Sequence, residues 1–157
     1  MKVLFQGTFD MFHWMHLESI RQAKAEGDHL LVLVNSDKLV EVYKNKKPVF
    51  PEKYRLDIIS NLKDVDEARL TDDFSPLSNL KREDIDVYVM CDEWDNTKTA
   101  EKAYMKKMKR KVVILPYIKA DFMQDVKEKM KANIEKKEAI LCEDCHRKIW
   151  YPPYLQL

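Results

Sequence analysis

The feature that most narrows what this chain can fold into is an alternation. Short apolar, β-branched-rich runs at 2–6, 30–35, 65–70, 85–91 and 111–118 alternate with stretches whose apolar residues recur at helical spacing. Leu17, Ile20 and Ala23 mark a helix between the first two runs, and GluGlyAspHis at 26–29 supplies its stop, with Gly27 read as a left-handed cap. After Pro51, Leu56, Ile59 and Leu62 share one face of a helix over 52–62. Ala100, Ala103, Tyr104 and Met108 mark another over 97–109. Strands separated by helices of this length need crossover connections, so the strands run parallel and the helices cover both faces of one sheet. The expected architecture is a doubly wound α/β domain. Its ligand site falls at the switch point, here at the carboxyl ends of strands 1 and 4.

Composition excludes several functions. A chain of 157 residues builds one core without disulfides or a structural metal. With 28 Lys and Arg against 27 Asp and Glu, the net charge of +1 argues against a nucleic-acid binder. The apolar run LeuLeuValLeuVal at 30–34 falls far short of the roughly 20 residues that span a bilayer, so no membrane insertion is expected. The N-terminus has no signal-peptide core, and the three cysteines Cys91, Cys142 and Cys145 cannot all pair within one chain, which points to a reducing cytoplasm.

The chain is expected to divide into a domain over 1–120 and a C-terminal helix and aromatic tail over 121–157. Phe122, Val126, Met130 and Ile134 recur every four residues. Lys127, Lys129, Lys131, Lys136 and Lys137 interleave with Glu128, Glu135 and Glu138, which describes a solvated, salt-bridged helix face. In the tail, Trp150 is a docking anchor onto the domain or a partner. Cys142, Cys145 and His146 offer three zinc ligands that need a fourth from His29 or a second copy; alternatively they are reduced cysteines in a tail turn.

Chemistry concentrates in GlyThrPheAspMetPheHisTrpMetHis, residues 7–16, directly after the first strand. His13 and His16, three apart at the opening of a helix, lie on one face. The same helix end offers backbone N–H groups and a positive dipole end, so the two imidazoles and the amides together suit a phosphate. Read alone, His-x-x-His also suits surface or core histidines, or a zinc site with further ligands from elsewhere.

The wider string resembles the GTFD and HxGH signature of the cytidylyltransferase-like nucleotidyltransferases, in particular the glycerol-3-phosphate cytidylyltransferases. Segments at 23–37, 44–47, Arg55, 63–67 and 85–94 follow in the family's order, so the resemblance covers residues 1 to about 116. It implies a Rossmann-like fold and a cytidylyl transfer from CTP to a small phosphorylated polyol or sugar, with release of pyrophosphate. ATP is the alternative donor, because adenylyltransferases share the same opening motifs. By resemblance, His13, His16 and Lys46 act at the phosphates. Thr8, Phe9, Trp14, Met15, Asp92 and Trp94 border the nucleotide, and Lys44 and Arg55 face the acceptor phosphate. Asp10 orients a histidine or stands near a Mg²⁺ that bridges the phosphates, or else is a plain turn residue. Arg55 likewise has a second reading, paired to neighbouring carboxylates. The family implies a homodimer.

The sequence departs from the pattern at four places. Met15 and Cys91 replace glycines, which puts side chains where backbone would approach a ligand. TyrIleLysAlaAspPheMetGln at 117–124 stands where the family carries an arginine and a hydroxyl-rich segment for the triphosphate. No clear acceptor lysine occurs in AspAspPheSerProLeuSer at 72–78. These departures leave the acceptor open, and they leave a second reading, a non-catalytic phosphate-binding or scaffold protein derived from the family.

Overall fold

The computed structural model describes residues 1–116, together with Glu128 and Lys129. The chain divides into two units, Met1–Tyr117 and Ile118–Leu157. The readings made for the C-terminal helix, the aromatic tail, the cysteine set and the segment after Pro116 lie outside the described residues.

The elements run β1 (Lys2–Gly7), α1 (Trp14–Lys24), β2 (His29–Asn35), α2 (Asp37–Lys44), α3 (Glu52–Ser60), β3 (Glu67–Thr71), α4 (Leu77–Arg82), β4 (Val87–Cys91), a 3₁₀ turn (Asp92–Trp94), α5 (Thr99–Lys107) and β5 (Lys111–Leu115). All pairings are parallel, in the order β3-β2-β1-β4-β5. The chain works outward from β1 to β3 and then crosses back to lay β4 against β1. The switch point therefore lies between β1 and β4, as the alternation of runs predicts.

Side-chain alternation assigns the two faces. Val3, Phe5, Leu30, Val32, Val34, Val87 and Val89 pack with Ile20 and Ala23 of α1 and Ile59 of α3. Leu4, Leu31, Leu33, Tyr88 and Met90 pack on the other face with Leu80 of α4 and Met105 of α5. The register aligns Leu4 with Leu31 on one side and with Tyr88 on the other. A one-residue slip would exchange the two faces, and burying each such side chain contributes about 1.5–3 kcal/mol, so the apolar pattern holds the register firmly.

Two local expectations are corrected. Gly27 is not a left-handed cap: neither glycine has positive φ, and α1 ends in an ordinary right-handed turn at Ala25. Gly27 is instead a place of close approach, since a Cβ there would lie 2.5 Å from the Met1 carbonyl oxygen and 2.7 Å from Val3 Cγ2. The second correction is α2, over a stretch in which the sequence reading marked no helix. Ser36 caps it by accepting from the Leu39 N–H, Asp37 sits in its first turn, and Asn45 ends it in the left-handed region at φ 51°.

Candidate active site

The loop between β1 and α1 carries the histidines, and its geometry is unusual. Phe9 and Met11 both adopt left-handed backbone, φ 55° and 47°. For bulky side chains that conformation is strained and persists only where surroundings enforce it. Phe9 is buried against Phe5 and His16, and its ring comes so close to Gly7 that a Cβ there would lie 2.7 Å from it. Phe9 thus belongs to the core beneath the site and does not present its ring to a nucleotide.

Asp10 spends both carboxylate oxygens on backbone: Oδ2 accepts from the Val49 N–H at 2.9 Å, and Oδ1 from the N–H groups of Phe50 at 2.9 Å and Met11 at 3.1 Å. It clamps the segment before α3 onto the β1–α1 loop, which corresponds to its turn reading. Arg55 completes the clamp. Its guanidinium is fully buried, donating from Nε to the Phe50 carbonyl at 2.9 Å, from Nη1 to the Thr8 carbonyl at 2.6 Å and from Nη2 to Asp37 Oδ1 at 2.7 Å. This corrects its expected place at the acceptor phosphate: a side chain with no exposed surface and its fork engaged by protein acceptors positions loops. Asp37 and Glu52 each accept the other's backbone N–H, at 2.7 and 3.1 Å, which fastens the starts of α2 and α3 side by side.

On this frame His13 caps α1. The Met15 N–H donates to His13 Nδ1 at 3.3 Å and the His13 N–H donates to His16 Nδ1 at 3.4 Å, a reciprocal box. Because both Nδ1 atoms accept, a neutral ring in either place carries its proton on Nε2. The rings stack 3.9 Å apart, with Phe12 stacked on His16. Burial pushes His13 below the ordinary imidazole value. Burial, then the neighbouring charges of His13 and Lys44, pushes His16 down to about 4, against a small opposing pull from Asp10. Near neutral pH the result is two neutral N–H donors at the positive end of a helix whose first turn carries no acid.

The remaining expected residues divide by exposure. Lys44, on the last turn of α2, lies close enough to act on His16 and Glu93, while Lys46 is exposed on the loop that follows. Trp14 opens α1 with 59% of its surface exposed, and Met15 follows half-buried. Cys91 turns into the core on the α1 face, and burial, with smaller contributions from Glu93 and Asp92, raises its thiol to about 11. It therefore packs below the site. Asp92 and Trp94 form the 3₁₀ turn at the end of β4. Thr8 joins a polar chain: its Oγ1 meets the Tyr43 hydroxyl at 2.5 Å and accepts from Asn35 Nδ2 at 3.3 Å. Gln6 Nε2 donates to Asn35 Oδ1 at 2.8 Å.

Three members of this polar chain went unread in the sequence: Gln6, Asn35 and Tyr43. The usable signal was polar residues at the carboxyl ends of two otherwise apolar runs, Gln6 after ValLeuPhe and Asn35 after LeuValLeuVal.

The profile of the cytidylyltransferase-like family matches residues 4–140. The chain belongs to that family. Among its relatives, the glycerol-3-phosphate cytidylyltransferase of Bacillus subtilis is 33% identical over 95 residues, 60% of this chain and 73% of the relative. The FAD synthase of Methanosarcina mazei is 38% identical over 122 residues, 75% of this chain and 78% of the relative. The chain spans about half the length, 52% and 53%, of two further FAD synthases. Among solved structures, a lipopolysaccharide core biosynthesis protein from Thermoplasma volcanium superposes with a TM-score of 0.61 at 28% identity, covering 77% of this chain and 98% of the other. This cytidylyltransferase-like chain has the doubly wound parallel sheet that its sequence pattern implies, and none of its helices among the described residues is long and apolar enough to cross a membrane.

Proposed function

We propose that this chain transfers a nucleotidyl group, cytidylyl from CTP, to a small phosphorylated acceptor of the polyol or sugar class. The observation that carries the reading is the pair of neutral imidazoles capping α1 at the switch point, with Nε2–H on both rings available to phosphate oxygens. In the reaction an acceptor phosphate oxygen attacks the α-phosphorus in line. A new P–O bond forms as the α–β bridging P–O bond breaks, and pyrophosphate leaves with the electron pair. Negative charge grows on the equatorial and leaving oxygens, so the protein's task is to position reactants and donate to those oxygens. His13 and His16 do so from the helix end, Lys44 adds a positive charge beside His16, and Lys46 bears on the triphosphate.

Asp10, whose oxygens are engaged by backbone, does not suit a metal ion, and among the described residues no group of three His, Cys, Asp or Glu side chains could hold one. A Mg²⁺ bound through the triphosphate itself fits this donor set better than a resident ion.

The FAD synthases among the relatives favour a second reading, with ATP as donor, since FAD contains adenosine. Titration calorimetry with CTP and, separately, ATP, each with Mg²⁺, decides between them. One-site binding of CTP with pyrophosphate release on adding acceptor is the expected result. Preference for ATP would assign the chain to adenylyl transfer. Binding without release across a panel of phosphorylated acceptors would favour the non-catalytic reading, and binding of neither would end the proposal.

We further propose a homodimer of a protein working in the cytoplasm. Tyr54 and Ile58, one turn apart on α3, are 59% and 37% exposed, and Val49 and Phe50 just before the helix are 52% and 40% exposed, which together make an apolar strip. Tyr54→Arg with Ile58→Asp should convert the dimer to a monomer in sedimentation velocity. A parent that sediments as a monomer, or a dimer untouched by the double variant, would dismiss this interface.

A further inference from the structure

Helix α5 runs out into LysLysMetLysArgLys, residues 106–111, which puts five cations in six positions of a chain whose charges otherwise nearly cancel, 28 basic against 27 acidic. The helix closes in a two-bond turn: the Lys109 N–H donates to the Lys106 carbonyl at 3.0 Å and the Arg110 N–H to the Met105 carbonyl at 2.9 Å. In such a turn the first position after the cap favours glycine, because its backbone is left-handed, and the next favours an apolar side chain. Here Lys109 holds the first, at φ 57°, and Arg110 the second. Cations at a helix C-terminus complement its dipole, which accounts for Lys106 and Lys107 but not for a lysine in backbone that suits glycine.

Acids of the same chain neutralise only part of the run. Arg110 pairs with Asp84 and donates to the Ile85 carbonyl at 2.8 Å, and Lys111 pairs with Glu26. Lys106, Lys107 and Lys109 are exposed and make no ion pair among the described residues. Met108, between them, leaves 44% of its surface to water. Arg110 and Lys111 thus fasten the turn to the domain, and three ammonium groups with one flexible apolar side chain stand free on it. The turn lies at the amino end of the sheet, since Lys111 opens β5 in register with Val87, the first residue of β4. The histidines follow the carboxyl end of β1, so the length of the strands separates the two surfaces.

We infer that this turn is a docking surface for an anionic lipid bilayer, on which the protein rests without inserting. Lysine ammonium groups are point charges that suit a diffuse layer of headgroups, whereas the one arginine, whose fork would read a single phosphate, is held by Asp84 and the Ile85 carbonyl. Residues 106–111 include no aromatic ring on which a base could stack, which disfavours single-stranded nucleic acid. An apolar side chain among lysines is the pattern of interfacial anchors, and the negative potential of the headgroups attracts the cations. Docking there leaves the carboxyl ends of β1 and β4 open to soluble substrates, whichever nucleotide the chain transfers.

The test is flotation of the full chain with vesicles of phosphatidylcholine alone, and of phosphatidylcholine with about one third phosphatidylglycerol, at low ionic strength where surface charge is least screened. Anionic vesicles should bind the protein more tightly than neutral ones by roughly tenfold or more. Lys106→Gln with Lys107→Gln and Lys109→Gln should weaken that binding roughly a hundredfold, about fivefold for each lysine. Lys38→Gln with Lys53→Gln and Lys63→Gln changes the net charge equally and should retain it. All six positions are exposed, so both variants should fold. Equal binding to neutral and anionic vesicles, binding to neither, or equal losses in the two triple variants would overturn the inference. So would a first triple variant that released a short single-stranded RNA while keeping the parent's vesicle affinity, which would make the turn a nucleic-acid contact.

Discussion

His16→Ala should lower pyrophosphate release by roughly 10²–10³-fold, the effect of deleting one preorganised donor to developing oxyanion charge. The variant is expected to fold, because His16 adds one side of a capping box while His13 still caps α1. A rate within a few-fold of the parent would place the catalytic centre elsewhere. The same ring also shapes acid stability. Its folded value of about 4 lies below the ordinary 6.5 of imidazole, so between these pH values the unfolded chain binds a proton that the folded chain refuses. Stability therefore rises with pH through this window, is complete above about pH 6.5, and on acidification to pH 4 falls by up to about 3 kcal/mol. Urea unfolding of parent and His16→Ala at pH 4.5 and 7 should show the parent losing more on acidification. Equal losses would mean that His16 is not the group responsible.

Why the helix that carries the histidines was legible and the residues that brace it were not follows from the range of the forces involved. A capped helix after an apolar strand is a local event, written in ten consecutive residues from Gly7 to His16. The alternation of runs is likewise local, and it carries the sheet. Arg55 is different: next to carboxylates on a helix it is equally suited to solvent, a phosphate or a buried clamp. Its burial is decided by Thr8, Asp37 and Phe50, which the fold brings from up to 47 residues away. Phe9 was misread for a related reason, since a motif places it beside the ligand loop and only its left-handed backbone, φ 55°, turns the ring inward. Gly27 sits where a helix stops, so a cap is the local reading, and the Met1 carbonyl above it is a tertiary contact. The touching rings of Tyr43, Phe74 and Trp94 come from α2, the β3–α4 loop and the turn after β4, and no spacing rule links three such positions.

The buried clamp is the place where structural and catalytic roles separate most clearly. Arg55→Met keeps the aliphatic stem and removes a fork that serves two carbonyls and one carboxylate, leaving the carbonyl oxygens of Thr8 and Phe50 without these donors. Truncating one partner of a fully buried ion pair costs about 3–5 kcal/mol; with Asp37 38% exposed to water, about 2–4 kcal/mol is expected. For a domain of this size that corresponds to a Tm lower by roughly 5–15 °C in calorimetry. Arg55→Lys should recover little, because one ammonium cannot reach acceptors arranged for a planar fork. Triphosphate affinity should fall in step with loss of the Asp10 and Arg55 clamp on the β1–α1 loop, and saturating ligand should restore part of the lost Tm by mass action. A variant as stable as the parent, yet weakened only for the phosphorylated acceptor, would return Arg55 to the phosphate role and mean that its guanidinium leaves the clamp when substrate binds.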